Sequence, residues 1–320
     1  MRIGVYIDAY NISLNGGYAM RYDILRDFLL QDGMGLRMNT YMVFDEERAE
    51  EDQEYREKQQ GYFSVLRSFG YKVITKPVRR YKNEAGDWVT KGNVDIEMAV
   101  DMLTQSRNLD KVVLLTGDGD FIRAVSTIQG QGCRVELVAF RNISRDLMNE
   151  VDLFTSGYLI PNLLPVDKAD QGPTDWGQEN SRVRGICYNR DEGYGFLRYL
   201  DLEWQNREIF FHYSQLPRGY HVRLDDIFEF TIVPNLKRDG LMAIDMELIR
   251  WKHQPSAFVK ASAINRRSSL IFTGGYFTNR FNPIRKVFWR SPPVKETMAS
   301  VAAFCMRLVA SWRNTRSTAS

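Results

Sequence analysis

The feature that most limits how this chain can fold is an alternation in its first 160 residues: short apolar runs, each followed by a longer segment whose apolar residues recur at helical spacing. Arg2–Asp8 reads as a buried strand, followed by a helical face of Tyr22, Leu25, Phe28 and Leu29. Leu36–Phe44 reads as the next strand and the charged stretch Asp45–Phe69 as one long helix. Tyr71–Thr75 gives a third strand, Val94–Leu103 a helix and Lys111–Leu115 a fourth strand. Phe121–Gln129, Arg134–Ala139 and Ser144–Asn149 continue as helix, strand and short helix. Strands that alternate with helices predict a parallel sheet covered on both faces, an α/β architecture.

The chain has 320 residues, enough for about two domains. The second begins where the pattern changes. Pro161, Pro165, Gly172 and Pro173 among Asp and Gln mark residues 161–180 as a linker. Residues 181–251 then lose the helical period and show five short aromatic, β-rich runs: Val183–Asn189, Tyr194–Tyr199, Glu208–His212, Ile227–Val233 and Met242–Ile249. Five such runs in so short a span predict a small all-β barrel. Residues 252–320 form a basic tail with 12 Lys+Arg against one acid, while the rest of the chain carries 31 Lys+Arg and 39 Asp+Glu. The tail reads either as a partly disordered extension or as a surface for RNA or anionic lipid.

No apolar run approaches the length of a membrane-spanning helix. The N-terminal run meets Asp8 too early for a signal peptide, and Cys133, Cys187 and Cys305 fit neither a disulfide framework nor a thiolate zinc site. A cytoplasmic protein is therefore expected. His212, His221 and His253 lack a metal-ligand spacing, so any metal would be held by oxygen, pointing to Mg2+ or Mn2+.

Asp8 ends the first strand, with Asn11 close behind, and Asp118 and Asp120 follow the fourth. If these two strands are neighbours, their carboxyl ends form the crevice in which α/β sheets bind ligands. Asp95, in Lys91-Gly92-Asn93-Val94-Asp95, opens the helix that leads into the fourth strand. Several carboxylates in one cleft repel one another unless a divalent cation binds, and such a cation assists phosphodiester hydrolysis. The competing reading makes Asp8 and Asp118 turn formers and Asp95 a helix-dipole partner. Thr116-Gly117-Asp118-Gly119-Asp120 lacks the lysine of a phosphate loop, which argues against a nucleotide-cofactor enzyme.

The strings Tyr6-Ile7-Asp8-Ala9-Tyr10-Asn11, Lys91-Gly92-Asn93-Val94-Asp95 with Asp101, and Leu115-Thr116-Gly117-Asp118-Gly119-Asp120-Phe121 with Gly132-Cys133-Arg134-Val135 resemble the NYN family in its LabA-like branch of PIN-related nucleases. The resemblance covers residues 1–160 and implies a PIN-like Rossmannoid fold and metal-dependent RNA cleavage. It implies Asp8, Asp95, Asp118 and Asp120 as metal ligands, with Asn11 supporting the site. Asp101 lies six residues past Asp95, on another face of the helix, and reads as structural; Asp152 is a further candidate. Arg79, Arg80, Lys82 and Lys91 lie in a segment interleaved with Tyr81 and Trp88, read either as an RNA-holding element beside the cleft or as a solvated hairpin.

In the second domain, Tyr188-Asn189-Arg190-Asp191-Glu192-Gly193-Tyr194-Gly195-Phe196-Leu197 and Glu208-Ile209-Phe210-Phe211-His212-Tyr213-Ser214 resemble the two nucleic-acid-binding motifs of cold-shock domains, which implies an OB-type barrel. On paired strands Tyr194, Phe196, Phe210 and His212 would form a stacking platform, with Gly193 and Gly195 leaving it open. Ile186 and Cys187 stand where that family presents lysine and tryptophan, and residues 181–250 are not basic, with 10 Lys+Arg against 11 Asp+Glu. The combined expectation is a metal-dependent ribonuclease acting on single-stranded RNA, its oligomeric state left open. The alternatives are a non-catalytic RNA-binding regulator with a vestigial acidic cleft, and a scaffold whose barrel binds protein.

Overall fold

The computed structural model describes residues 1–82, 88–168, 170–235 and 239–249, with backbone only for 79–82 and 88–91. The basic tail, with Cys305 and His253, lies outside the described residues. Six parallel strands form one sheet: β1 (Arg2–Asp8), β2 (Met34–Phe44), β3 (Lys72–Pro77), then β6 (Lys111–Leu115), β7 (Arg134–Ala139) and β8 (Leu153–Ser156). Their order is β3-β2-β1-β6-β7-β8, so the chain starts in the middle and reverses direction between β1 and β6. β4 (Arg79–Lys82) and β5 (Trp88–Lys91) form a separate antiparallel hairpin.

Alternation along each buried strand divides the core in two. Ile3, Val5 and Ile7 of β1 join Val113 and Leu115 of β6 under α2 (Tyr22–Leu29) and α4 (Gln53–Ser68), which supply Leu25, Leu29, Phe63 and Leu66. Tyr6, Val112 and Leu114 face the other way, toward Met98 and Met102 of α5 (Asp95–Gln105), Val125 and Ile128 of α6 (Ile122–Gly130) and Leu147 of α7 (Arg145–Glu150). Helices thus cover both faces, as the period of the sequence requires. The stretch expected to be one long helix is two, because Asp52 has extended backbone and its carboxylate accepts from Tyr55 N at 2.9 Å. That bond caps α4 and closes α3 (Glu46–Glu51) one residue earlier.

The second domain is a closed barrel of β9 (Arg182–Arg190), β10 (Tyr194–Leu200), β11 (Asn206–His212), β12 (Ile227–Pro234) and β13 (Leu241–Leu248), closing in the order β10-β11-β13-β12-β9. All neighbours are antiparallel except β11 and β13, an arrangement consistent with an OB fold. Leu197, Phe211, Phe228 and Phe230 fill its interior. The intervening segment is packed at both ends. Leu163 and Leu164 belong to the first core, and Trp176 is buried in the barrel core, donating to the Leu200 carbonyl at 2.8 Å.

Among the described residues, no helix is long and apolar enough to cross a membrane. Cys133 and Cys187 are buried free thiols.

Candidate metal centre and nucleic-acid face

The strand order decides where chemistry can occur. β1 and β6 are hydrogen-bonded neighbours, Ile7 pairing with Leu115, so Asp8 and the Thr116-Gly117-Asp118 turn emerge side by side at their carboxyl ends. This is the crevice that a reversal of strand order opens.

Asp8 is only 6% exposed. One carboxylate oxygen accepts from Asn11 N at 3.0 Å and the other from the Thr116 hydroxyl at 3.4 Å. Asn11 turns its side-chain oxygen to Gly117 N at 2.9 Å, tying the two strand ends together. Asp118 N donates to Thr116 Oγ1 at 3.2 Å, and Asp120 N donates to Asp118 Oδ1 at 3.0 Å. Thr116 therefore touches both acids through one hydroxyl. Asp8 and Asp118 do cap the turns that follow them; the turn-former role and membership of the acidic cluster coexist in the same residues.

Burial and neighbouring charge both act on these acids. Burial pushes the Asp8 carboxyl up to about 6, assisted by the negative charges of Asp95 and Asp118 and opposed by the Asn11 and Thr116 hydrogen bonds. Asp95, half-buried at the start of α5, is also raised, first by burial and then by Asp118, Asp120 and Glu97, against a hydrogen bond from Asn93. Among the described side chains, the charged groups acting on Asp8 and Asp95 are carboxylates. An uncompensated cluster of this kind is stabilised by a cation. Its donors are all hard oxygens, which fits Mg2+ or Mn2+. The donors nonetheless stand apart: among the described residues no three His, Cys, Asp or Glu side chains form a finished metal-binding group.

Two other acids fall elsewhere. Asp101 accepts from the Tyr41 hydroxyl at 2.7 Å and belongs to a polar cluster beneath α5 with Asn39, Tyr6 and Gln105. Asp152 accepts from Val135 N at 2.7 Å, at the amino end of β7 and so at the opposite edge of the sheet from the crevice. Its candidacy as a contributor is corrected by that placement. The hairpin aligns Arg79 with Lys91 and Lys82 with Trp88, and leads through Gly92 to Asp95; the side chains of Arg79, Arg80, Lys82 and Lys91 lie outside the described residues.

On the barrel, register pairs Tyr194 with His212 and Phe196 with Phe210. The rings of Tyr194 and Phe210 lie 5.8 Å apart, and those of Phe196 and Phe210 5.9 Å apart, on the half-exposed outer face. Exposed His212 shares that stripe, its Nδ1 2.8 Å from the Ser214 hydroxyl. A fourth ring joins them. The register between β9 and β10 slips so that Phe196 faces Asn189 and Leu197 faces Cys187, leaving Tyr188 as the extra residue. Tyr188 stands 6.5 Å from Phe196, with the Arg198 guanidinium 4.3 Å above its ring and bound to Glu208 at 2.8 Å. The bulge, invisible in a sequence period, adds a ring beside buried Cys187, whose thiol burial pushes up to about 12.

Gly195 differs from expectation. It points inward, where a Cβ would lie 2.6 Å from the Phe211 ring and 2.9 Å from the Asn189 carbonyl. It is glycine because the barrel interior has no room, and the openness of the outer face owes nothing to it.

Comparison with known proteins adds an independent line. The family described as the NYN domain matches residues 2–163. The low amplitude and bright protein LabA of Synechococcus elongatus is 32% identical over 99 residues, 30% of this chain and 53% of that protein. The chain thus spans about half the length of this curated relative. A crystal structure of a protein of unknown function from Vibrio parahaemolyticus covers 48% of this chain and 91% of its own, at 23% identity and a TM-score of 0.39. The Drosophila Unr CSD456 structure covers 24% of this chain and 30% of its own, at 26% identity and a TM-score of 0.19.

Proposed function

Since the chain belongs to the NYN domain family, we propose that it is a metal-dependent ribonuclease that hydrolyses single-stranded RNA in the β1–β6 crevice and retains the strand on its barrel. The observation that carries this reading is that β1 and β6 are hydrogen-bonded neighbours, so that Asp8 and the Thr116–Asp118 turn leave their carboxyl ends side by side with Asn11 bridging them.

Asp8, Asp95, Asp118 and Asp120 would hold Mg2+ or Mn2+, which when bound neutralises charge on a phosphodiester and acidifies water. The chain's own residues do the rest. Asn11 and Thr116 lock Asp8 and the 116–118 turn into one orientation through three hydrogen bonds, so the carboxylates need little reorganisation beyond closing around the ion. The crevice is acidic and would repel RNA by itself; retention falls to the barrel rings, where single-stranded bases stack at about 1–3 kcal/mol each. The hairpin residues Arg79, Arg80, Lys82 and Lys91 precede Asp95 and are assigned phosphate contacts. A cytoplasmic setting accompanies the reading.

A second reading has one observation in its favour. Among the described residues no three His, Cys, Asp or Glu side chains are grouped closely enough to hold a metal, the arrangement of an RNA-binding regulator without turnover. Incubating wild type, Asp8→Asn and Asp118→Asn with end-labelled RNA, with Mg2+ and with EDTA, separates the two. The ribonuclease predicts cleavage by wild type in Mg2+ alone; equal products from all three proteins overturn the catalytic assignment. Binding that persists in EDTA with no cleavage under any condition establishes the regulator.

A further inference from the structure

The segment between the domains has the composition of a tether, yet the barrel is seated on the α/β domain by contacts that a tether does not need. Trp204, in the turn between β10 and β11, packs edge-on against Phe28 of α2 with ring centroids 5.2 Å apart. Ile227 at the start of β12 is buried in the same cluster as Leu25 and Leu163, with Ile186 and Ile249 packed against it. One apolar core therefore runs from the first domain into the barrel. Polar groups fasten its edge. Arg184 of β9 is almost wholly buried; its guanidinium donates to the carbonyls of Leu164 at 3.4 Å and of Pro165, while Glu229 neutralises it at 2.8 Å. Glu229 also accepts from Asp167 N at 2.9 Å. An arginine in such a place holds only if its partners stay fixed, because leaving it unpaired in the interior is costly.

The seam also reaches the crevice. Tyr158, in the turn Gly157–Leu159 that lies against β9, packs on Phe140 with its hydroxyl against Gly16; a Cβ there would lie 2.1 Å from that oxygen. Gly16 has φ +110, and its neighbour Asn15 donates to Asn11 at 3.2 Å, the residue that ties Asp8 to Gly117. Neighbouring groups thus connect barrel strand β9 with the acidic cluster.

We propose that the two domains work as one rigid body, and that the seam of Trp204, Phe28, Ile227 and Arg184 fixes how far along an RNA strand the cut falls from the nucleotides stacked on the barrel. This rests on the ribonuclease reading but adds a claim of its own: cleavage position is set by the protein's own span. Trp204, Phe28 and Arg184 are positioning residues that act through the seam.

Two measurements test it on the full chain. In the first, Glu57→Cys and Arg218→Cys, both exposed sites, carry spin labels in a Cys305→Ser background, and the label-to-label distance distribution is recorded without RNA. A single narrow distance is expected, and Trp204→Gly, which keeps the left-handed backbone of that turn at φ +60, broadens it; Phe28→Ala does the same from the other side. A broad or multiple distribution in the unsubstituted seam overturns the proposal whether or not RNA is cut.

In the second, oligoribonucleotides carrying one photoreactive 4-thiouridine are crosslinked to residues 188–212, and Mg2+ is then added. Cuts confined to a window of a few nucleotides that moves with the 4-thiouridine support the proposal, as does a wider window in Trp204→Gly at unchanged RNA affinity. Cuts scattered along the strand in wild type overturn it. A narrow distance with no cutting at all defeats the ribonuclease reading and removes the spacing role, while leaving the rigid seam in place.

Discussion

The crevice and the barrel face solve the problem of unpaired chemistry in opposite ways. In the crevice, negative charge is concentrated: Asp8 is buried, Asp95 half-buried, and among the described side chains the charged groups that act on them are other carboxylates. On the barrel, charge is paired off, Arg198 with Glu208 and Arg207 with Asp201, and apolar surface is left uncovered instead. Folding tolerates either defect at a cost, and each kind of exposed deficit identifies a different ligand. Unbalanced carboxylates call for a cation, and uncovered rings call for something flat to stack on them. The contrast predicts that substitutions in the crevice change turnover and stability, while those on the barrel change affinity.

The largest effect expected is on turnover. Asp118→Asn removes a charge but keeps the side chain's shape and its capping oxygen for Asp120 N. Cleavage should fall on the order of 10³-fold, about 4 kcal/mol in the barrier, while RNA affinity measured in EDTA stays within about twofold. Loss of binding in parallel with cleavage would break the division between the two regions.

Next comes stability, with its sign fixed by linkage. The Asp8 carboxyl is raised to about 6 in the folded protein from an ordinary 3.8. The folded state therefore holds its proton more tightly, and the contribution is fully present below about pH 4 and lost as pH rises through 6. Asp95 acts in the same direction, while Asp110, held down at about 2 by Arg2, titrates below this window. At pH 7 the ionised Asp8 costs on the order of 3 kcal/mol. Asp8→Asn should thus raise the unfolding temperature at pH 7 by about 5–10 °C and flatten its dependence between pH 4 and 7. Mg2+ should stabilise wild type and not the variant. Denaturation scans across pH with and without Mg2+ check all three. A destabilised Asp8→Asn would mean that its two hydrogen bonds outweigh its charge.

How much of this contrast is legible in the sequence depends on the range of the physics involved. β1 and β6 have the expected bounds because their burial on both faces is written as nearly continuous apolar runs. The four acids are visible because they follow such strands or open a helix. The break at Asp52 is a local hydrogen bond that competes with helix continuation, and the glycine of this stretch, Gly61, lies inside α4 and does not mark it. The Tyr188 bulge depends on a partner strand, and the inward aim of Gly195 on a phenylalanine sixteen residues away. Thr116 had a signal, a hydroxyl directly after a buried strand, but its double contact needs Asp8 beside it. Pro and Gly mark residues 161–180 as irregular, and irregular is all they mark. Leu163, Leu164 and Trp176 were available in the sequence to show a packed segment.

On the barrel, Tyr194→Ala and Phe210→Ala should each weaken RNA binding by about 1–3 kcal/mol, roughly 5- to 150-fold in Kd. Cleavage at saturating RNA should stay unchanged. Tyr188→Ala sharpens the comparison, because it tests whether the bulged ring belongs to the same face; fluorescence anisotropy with short RNA gives the ranking. If all three leave affinity alone, the platform serves another partner.

The smallest effect concerns two acids on one helix. Asp95 and Asp101 lie six residues apart on α5, and about 100° per residue turns them to different sides. Asp95 faces the carboxylates of the crevice, whereas Asp101 takes the Tyr41 hydroxyl, to which Asn39 also donates at 3.0 Å. Asp101 therefore fastens α5 to β2. Asp101→Asn should cost about 1 kcal/mol of stability and leave turnover per folded molecule and its Mg2+ dependence as in wild type. Tyr41→Phe should reproduce that loss. Asp95→Asn should do the reverse, lowering turnover and weakening the response to Mg2+ without loss of stability. A fully folded Asp101→Asn with no activity would move Asp101 into the site, and would show that a charge can reach the crevice from the far side of its helix.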